Sequence, residues 1–240
     1  MSDIYTLLEK RQKVDPKIVD EFTEKLNVVL KNRFNEDRGE FKLSMSSLGQ
    51  PDRKLWYKKH KPQAAEPLRG ETLLKFLYGD IIELLVLMLA KASGHTVKGE
   101  QDEVTLNGLL GHRDAIVDGV LVDVKSASSF AFDKFKSHRV MADDPFGYID
   151  QLSLYVTASQ DELDVKGSGA FIAVNKENGQ LVVDSYRVDV GKQDYSKEIT
   201  RKRGVLAEDT PPPRCYPDEP DGKSGNRKLG INCSYCEFKS

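Results

Sequence analysis

The stretch Gly111-His112-Arg113-Asp114-Ala115-Ile116-Val117-Asp118-Gly119-Val120-Leu121-Val122-Asp123-Val124-Lys125 decides how the chain folds. Two β-rich runs flank Asp118-Gly119, a pair that tolerates positive φ and marks a two-residue hairpin turn. With that turn as the loop, Val117 pairs with Val120, Ile116 with Leu121, Ala115 with Val122, and Asp114 with Asp123. Side chains alternate across a strand, so Ala115, Val117, Val120, Val122 and Val124 form one apolar face. The other face carries Asp114 opposite Asp123, with Lys125 two residues further on. Like charges directly opposite destabilise a sheet, and a divalent cation between them removes the penalty. Hard cations such as Mg²⁺ take carboxylate oxygens, waters and substrate phosphates. A lysine beside them orients or deprotonates water and offsets charge on a phosphate. A solvated strand face accounts for one such aspartate, but poorly for a facing pair with an adjacent lysine.

A second carboxylate signal lies upstream. A helix is expected from about Arg69 to Ser93, closed by Gly94. From Leu73 to Leu89 it is apolar almost all round, which predicts a largely buried helix. Glu83 in its middle then faces a large desolvation cost unless it is paired, protonated or on a metal. Gly79, one turn earlier on the same face, leaves room for an ion or a phosphate. A helix edge that reaches water explains Glu83 equally well from this helix alone. Together with the hairpin carboxylates, a third metal ligand explains it better.

Outward from these segments, the pattern predicts a helix over 16–33 with Val19, Phe22, Leu26, Val29 and Leu30 on one face. Strands are expected near 96–106, 112–118 and 120–127, with a short helix over 130–136. Asp144-Pro145 opens a helix to about Ala158, which places Tyr148, Gln151 and Tyr155 on one face. Strands over 170–175 and 181–188 and a helix over 192–206 follow, and Pro211-Pro212-Pro213 sets off the tail. In the hairpin register, His112 falls opposite Lys125.

The chain has 240 residues, 39% of them hydrophobic, enough to bury a substantial core. Its formal net charge of −2 gives no global field for nucleic acid, so DNA binding requires a local basic patch. Met1-Ser2-Asp3-Ile4 has neither a basic nor an apolar leader region, and Ile81 to Ala90 is too short to span a bilayer. Three cysteines argue against a disulfide framework. A cytoplasmic location is expected.

Asp114, followed by Asp123-Val124-Lys125, resembles the signature of the PD-(D/E)XK nuclease superfamily, an acid on one strand and D/E-x-K on the next. Gly79-Asp80-Ile81-Ile82-Glu83 resembles the Gly-x-x-x-His/Glu helix motif of its RecB-like and phage lambda-type exonuclease branch. Gln151-Leu152-Ser153-Leu154-Tyr155 resembles the same branch's Gln-x-x-x-Tyr motif. D-x-K alone is weak, but the motifs in this order are specific, and the resemblance covers roughly residues 44–190. Glu83 stands where many RecB-like relatives have His, as in lambda-type exonucleases.

The resemblance implies an α/β fold with a restriction-endonuclease-like core, a mixed central β-sheet flanked by helices. It also implies a Mg²⁺- or Mn²⁺-dependent deoxyribonuclease acting on DNA ends, in phage recombination, repair or degradation, within a bacterial or phage-infected host cell. Glu83, Asp114, Asp123 and the Val124 carbonyl would hold the metal, Lys125 would position water, and Gln151 and Tyr155 would support the site. A recombination or replication protein is an expected partner. The expected division is a helical region over 1–68, a nuclease core over 69–206 and a cysteine-containing tail over 207–240, in one domain. A structure-specific or nicking endonuclease with the same site, and a catalytically idle DNA-binding protein, are the alternatives.

Two further segments carry chemistry. Arg53-Lys54-Leu55-Trp56-Tyr57-Lys58-Lys59-His60-Lys61 interleaves cations with aromatic rings, suited to phosphate contacts and stacking. It reads equally as a solvated helix face anchored by Leu55 and Trp56. The resemblance favours DNA contact through Ser47, Arg53, Lys54 and Trp56. Lys134, Lys136, Arg139, Lys197, Arg201, Lys202 and Arg203 could extend the groove. In the tail, Cys215 and the Cys233-Ser234-Tyr235-Cys236 knuckle suit a thiolate site for Zn²⁺, one ligand short of four. An Fe–S cluster is disfavoured because Pro51 occupies the place of a cysteine in some relatives. Free thiols in a loose tail are the competing reading.

Overall fold

The computed structural model describes residues 2–35, 39–164, 166–189, 194–230, 233 and 236–239. In chain order its first helices are α1 (Ser2–Glu9), α2 (Pro16–Asn35), α3 (Met45–Leu48), α4 (Asp52–His60) and α5 (Gly70–Ala92). Five strands follow: β1 (Val97–Lys98), β2 (Glu103–Leu106), β3 (Leu109–His112), β4 (Ala115–Val117) and β5 (Val120–Ala127). Then come α6 (Ser129–Lys136), α7 (Tyr148–Ala158), β6 (Ser168–Asn175), β7 (Leu181–Arg187) and α8 (Tyr195–Ala207). The tail adds a small hairpin, β8 (Glu219–Pro220) with β9 (Arg227–Lys228).

Asp118 and Gly119 have φ of 48° and 76°, as a tight turn matched to strand twist demands. The ladder is Ala115↔Val122, Ile116↔Leu121 and Val117↔Val120, three of the four expected pairs; the fourth, Asp114 with Asp123, is not part of it, because β4 begins at Ala115. The hairpin belongs to a five-stranded sheet ordered β1-β4-β5-β6-β7. Only β5 and β6 run parallel, joined by a crossover that carries α6 and α7, so the sheet is mixed. Both faces are covered. Val86 and Leu87 of α5 pack on Ala115, Val122, Val124 and Ile172. On the opposite face Phe132, Phe135, Leu152, Tyr155 and Val156 cover Ile116, Leu121, Phe171 and Ala173. Each Val, Leu, Ile or Phe among them, fully buried, contributes about 1.5–3 kcal/mol. The chain is an α/β protein with a mixed central sheet flanked by helices.

Several boundaries differ from expectation. The strand expected over 96–106 is two, because Gly99 and Gln101 take positive φ (60° and 57°) and turn the chain between β1 and β2. The strand expected over 112–118 begins only at Ala115, since His112 belongs to β3. There it pairs with Glu103 of β2 rather than facing Lys125. The β2–β3 hairpin turns at Asn107-Gly108, both with positive φ, an Asn-Gly signal of the strongest kind. Helix α7 starts at Tyr148, where the Asp144 carboxylate accepts hydrogen bonds from the Tyr148 and Ile149 amides at 2.9 and 2.8 Å. Part of the helix expected over 192–206, residues 192 and 193, lies outside the described residues.

Helix α5 is less buried than its composition predicts. Leu84, Val86, Leu87 and Ala90 are buried, but Leu73, Leu74, Phe76 and Tyr78 are each 43–47% exposed. Only the second half of the helix lies on the sheet. Beyond Pro211 the tail returns to α4: the Glu66 amide donates to the Glu237 carbonyl at 2.7 Å, and Tyr57 packs on Phe238.

Candidate functional site

Asp123 and Lys125 project from the same face of β5, under α7. Asp123 is buried, at 3% exposure. Its Oδ1 lies 2.6 Å from Lys125 Nζ, while its Oδ2 is buried with no hydrogen-bond partner. Asp114 sits one residue before β4, and its Oδ2 accepts the Val124 amide at 2.7 Å. That bond closes the end of the hairpin and holds Asp114 beside Asp123. Glu83 comes from α5, where Gln101 Nε2 donates to its Oε1 at 2.5 Å. Lys125 Nζ also lies 4.7 Å from the centre of the Tyr148 ring, in the range of a cation–π contact.

Electrostatics bind these groups into one cluster. Burial, with the neighbouring Asp123 and Asp80 charges, pushes Glu83 up to about 7 against the opposing Gln101 hydrogen bond. Burial, then Asp123 and Glu83, raises Asp114 well above the usual carboxylate range. Burial pulls Lys125 down, but the Asp123 and Asp114 carboxylates overcome it and hold the ammonium form. Burial and the same two aspartates lift Tyr155 up to about 12. Three carboxylates thus share one ammonium in a low-dielectric setting, where burial and mutual repulsion favour the protonated forms of Glu83 and Asp114.

A cation fits the donor set: hard oxygen ligands, carboxyl groups whose charged forms lack a counterion, and one orphaned buried carboxylate oxygen. Among the described residues, no group of three or more His, Cys, Asp or Glu side chains forms a ready-made cage for a metal ion.

Tyr155 buttresses the cluster from α7. It is 4% exposed and packs on the backbone of Gly111, where a Cβ would come within 2.7 Å of its ring. Glycine at 111 is what admits the tyrosine beside the hairpin. Gln151, one turn earlier, is half-buried on the same helix.

The basic-aromatic segment divides. Trp56 is 2% exposed and donates Nε1–H to the Glu208 carbonyl at 2.8 Å. Ser47 is 5% exposed, and its hydroxyl closes a capping box with Ser44. Neither is presented to a ligand, which corrects the expectation of DNA contact through them. The hydrophobic effect outranks the motif here, since a tryptophan among cations still buries its ring. Arg53 and Lys54 do line an open cavity of about 200 Å³. Tyr57, Phe146, Arg214 and Lys239 share its wall, and among the described residues no Asp or Glu does. Phe146 stacks on Tyr148 with ring centres 5.5 Å apart, which links this cavity to Lys125. Arg201 and Lys202 are engaged elsewhere, both paired with Asp52, and Lys134 pairs with Asp143.

Cys215, Cys233 and Cys236 line the same cavity. Burial, then the neighbouring Cys236, raises the Cys233 thiol. The three cysteines are free of disulfides.

Two positioning groups had no distinct sequence signal. Gln101 reaches Glu83 across the β1–β2 turn. Arg113, 2% exposed, holds Asp102, Glu162, Ser159 and the Gly99 carbonyl beside Asp114. Between His112 and Asp114, its polar neighbours give no sign of that burial.

No family model matches the chain, and no curated protein matches it. Among solved structures, the crystal structure of SSO0001 is similar at 14% identity. The match covers 92% of this chain and 94% of that chain, with a TM-score of 0.47. Among the described residues, no helix is long and apolar enough to cross a membrane.

Proposed function

We propose that the chain is a divalent-cation-dependent deoxyribonuclease with a restriction-endonuclease-like core, hydrolysing phosphodiester bonds from DNA ends. The observation that carries this reading is the buried, unpartnered Oδ2 of Asp123 beside Asp114 and Lys125. These are the residues whose spacing resembles the PD-(D/E)XK signature, and Glu83 and Tyr155 of the accompanying motifs join them.

Glu83, Asp114, Asp123 and the Val124 carbonyl would hold Mg²⁺ or Mn²⁺. A bound cation of this kind acidifies water and stabilises charge on a phosphate in transit. Lys125 is fixed as an ammonium by Asp123 and by the Tyr148 ring, so it donates to a water or a phosphate oxygen rather than removing a proton. Tyr155 fills the space behind the aspartates and excludes water there. Arg53 and Lys54, with Tyr57 and Phe146, offer cations and rings to the adjoining strand. Cys215, Cys233 and Cys236 are proposed as thiolate ligands for Zn²⁺ that would fasten the tail.

The test is Mg²⁺-dependent degradation of linear DNA by the wild-type chain and by Asp123→Asn. Loss of degradation in the variant supports the site, and equal activity overturns it.

A further inference from the structure

We propose that Gln101 is a positioning residue for Glu83, holding its carboxylate toward Asp114 and so setting the affinity of the site for divalent cations. This rests on the reading of Glu83, Asp114 and Asp123 as cation ligands.

Gln101 contacts both sides of the cluster. Its side-chain amide donates to Glu83 Oε1 at 2.5 Å, and its backbone amide donates to the Asp114 carbonyl at 3.2 Å. One residue therefore bridges α5 and the segment that leads into β4. Gln101 achieves this with a φ of 57°, a left-handed conformation uncommon for a residue with a side chain. Such backbone persists where the surroundings over-determine it, and it gathers at functional sites.

The surroundings here are explicit. The preceding Glu100 is ion-paired to Lys91 of α5 and, at 2.8 Å, to Lys25 of α2. The following Asp102 pairs with Arg113 at 3.0 Å, and its carbonyl accepts the Arg113 amide at 3.2 Å. Residues on either side of Gln101 are thus tied to the helix that carries Glu83 and to the residue before Asp114.

The residue type matters as much as the place. An amide donates a hydrogen bond to a carboxylate without adding charge. A lysine there would neutralise Glu83 and compete with the cation, and a glutamate would add a fourth negative charge. Partners that orient ligating carboxylates typically change metal affinity by about 10–100-fold when removed.

The test is Mn²⁺ binding to the full chain without DNA, followed by the Mn²⁺ paramagnetic resonance signal, with metal-free melting as the folding control. Gln101→Met removes the donor at similar size, and Gln101→Ala is a second variant. Both should weaken Mn²⁺ binding about tenfold while melting near the wild-type temperature. In a Glu83→Ala background, Gln101→Met should cause no further loss, because its effect passes through Glu83. Wild-type Mn²⁺ binding with unchanged affinity in both variants overturns the proposal. The same fold loss in the Glu83→Ala background also overturns it, since that marks a merely structural role. Absence of Mn²⁺ binding by the wild type overturns the cation-site reading, and this proposal with it.

Discussion

Lys125 Nζ lies 2.6 Å from Asp123 Oδ1, and both side chains are largely buried, at 18% and 5% exposure. The pair is the one charge balance within a cluster of three carboxylates. Removing either partner therefore has consequences beyond chemistry.

Asp123→Ala, Asp114→Ala and Lys125→Ala should each abolish Mg²⁺-dependent DNA cleavage. Facing carboxylates alone suggest that removing either aspartate relieves repulsion, but the structure separates the two. Asp123→Ala strands the Lys125 ammonium and should destabilise the metal-free protein by about 3–5 kcal/mol, the usual effect of breaking a buried pair. Asp114→Asn keeps an acceptor for the Val124 amide and removes a carboxyl whose ionised form burial and Asp123 disfavour, so its melting temperature should hold or rise. Calorimetry in chelator decides between these. Equal losses in the two variants would show that the lysine is not the counterion of Asp123 in particular.

Asp52 gives a pH prediction. Hydrogen bonds and charge from Arg201 and Lys202 outweigh its burial and hold it at about 2. A carboxylate depressed in the folded state contributes stability above its unfolded pKa, near 3.9. That contribution is lost as pH falls toward 2. Asp52→Asn should thus melt lower than wild type at pH 6, with the gap closing between about pH 4 and pH 2. A gap that stays constant down to pH 2 would mean the α4–α8 ion pairs contribute nothing measurable.

The basic-aromatic segment predicts two unlike variants. Lys54→Ala should weaken duplex binding and reduce the slope of log affinity against log salt by about 0.9, one phosphate contact, with little change in melting. Trp56→Ala should instead cost about 3–5 kcal/mol of stability, because the ring is buried and its N–H is bonded to Glu208. Salt titration of DNA binding and thermal melting read the two effects separately. A Lys54→Ala slope equal to wild type would remove this cavity from the DNA path.

The cysteines predict metal content. Elemental analysis should find about one zinc per chain, bound through deprotonated thiolates. Cys233→Ser should lose the zinc and expose the tail to protease while sparing DNA cleavage. Three titratable thiols with no bound zinc would leave Cys215, Cys233 and Cys236 as bystanders.

The hairpin was legible because Asp118-Gly119 allows one register only, and alternation then puts Asp123 and Lys125 on one face. Asn107-Gly108 carries the same turn signal, but one extended strand expected over 96–106 hides both the break between β1 and β2 and the strand β3 beyond that turn. Trp56 was misplaced because a run of cations suggests a surface, whereas the indole is governed by the apolar space between α4 and α8. The exposed half of α5 was misjudged for the converse reason, since composition does not say where the sheet ends. Gln101 could not be found from sequence at all. Its role depends on a long-range contact between a turn and a helix, and no periodicity encodes that.

The most direct test of the account is incubation of the purified wild-type chain with linear and covalently closed circular DNA, with Mg²⁺ or with chelator. Only the linear DNA should be lost, and only with Mg²⁺, and Asp123→Asn should abolish that loss. Linearisation of the closed circle would contradict action from ends while keeping the same site. Intact linear DNA in Mg²⁺ and in Mn²⁺ would contradict the nuclease assignment itself.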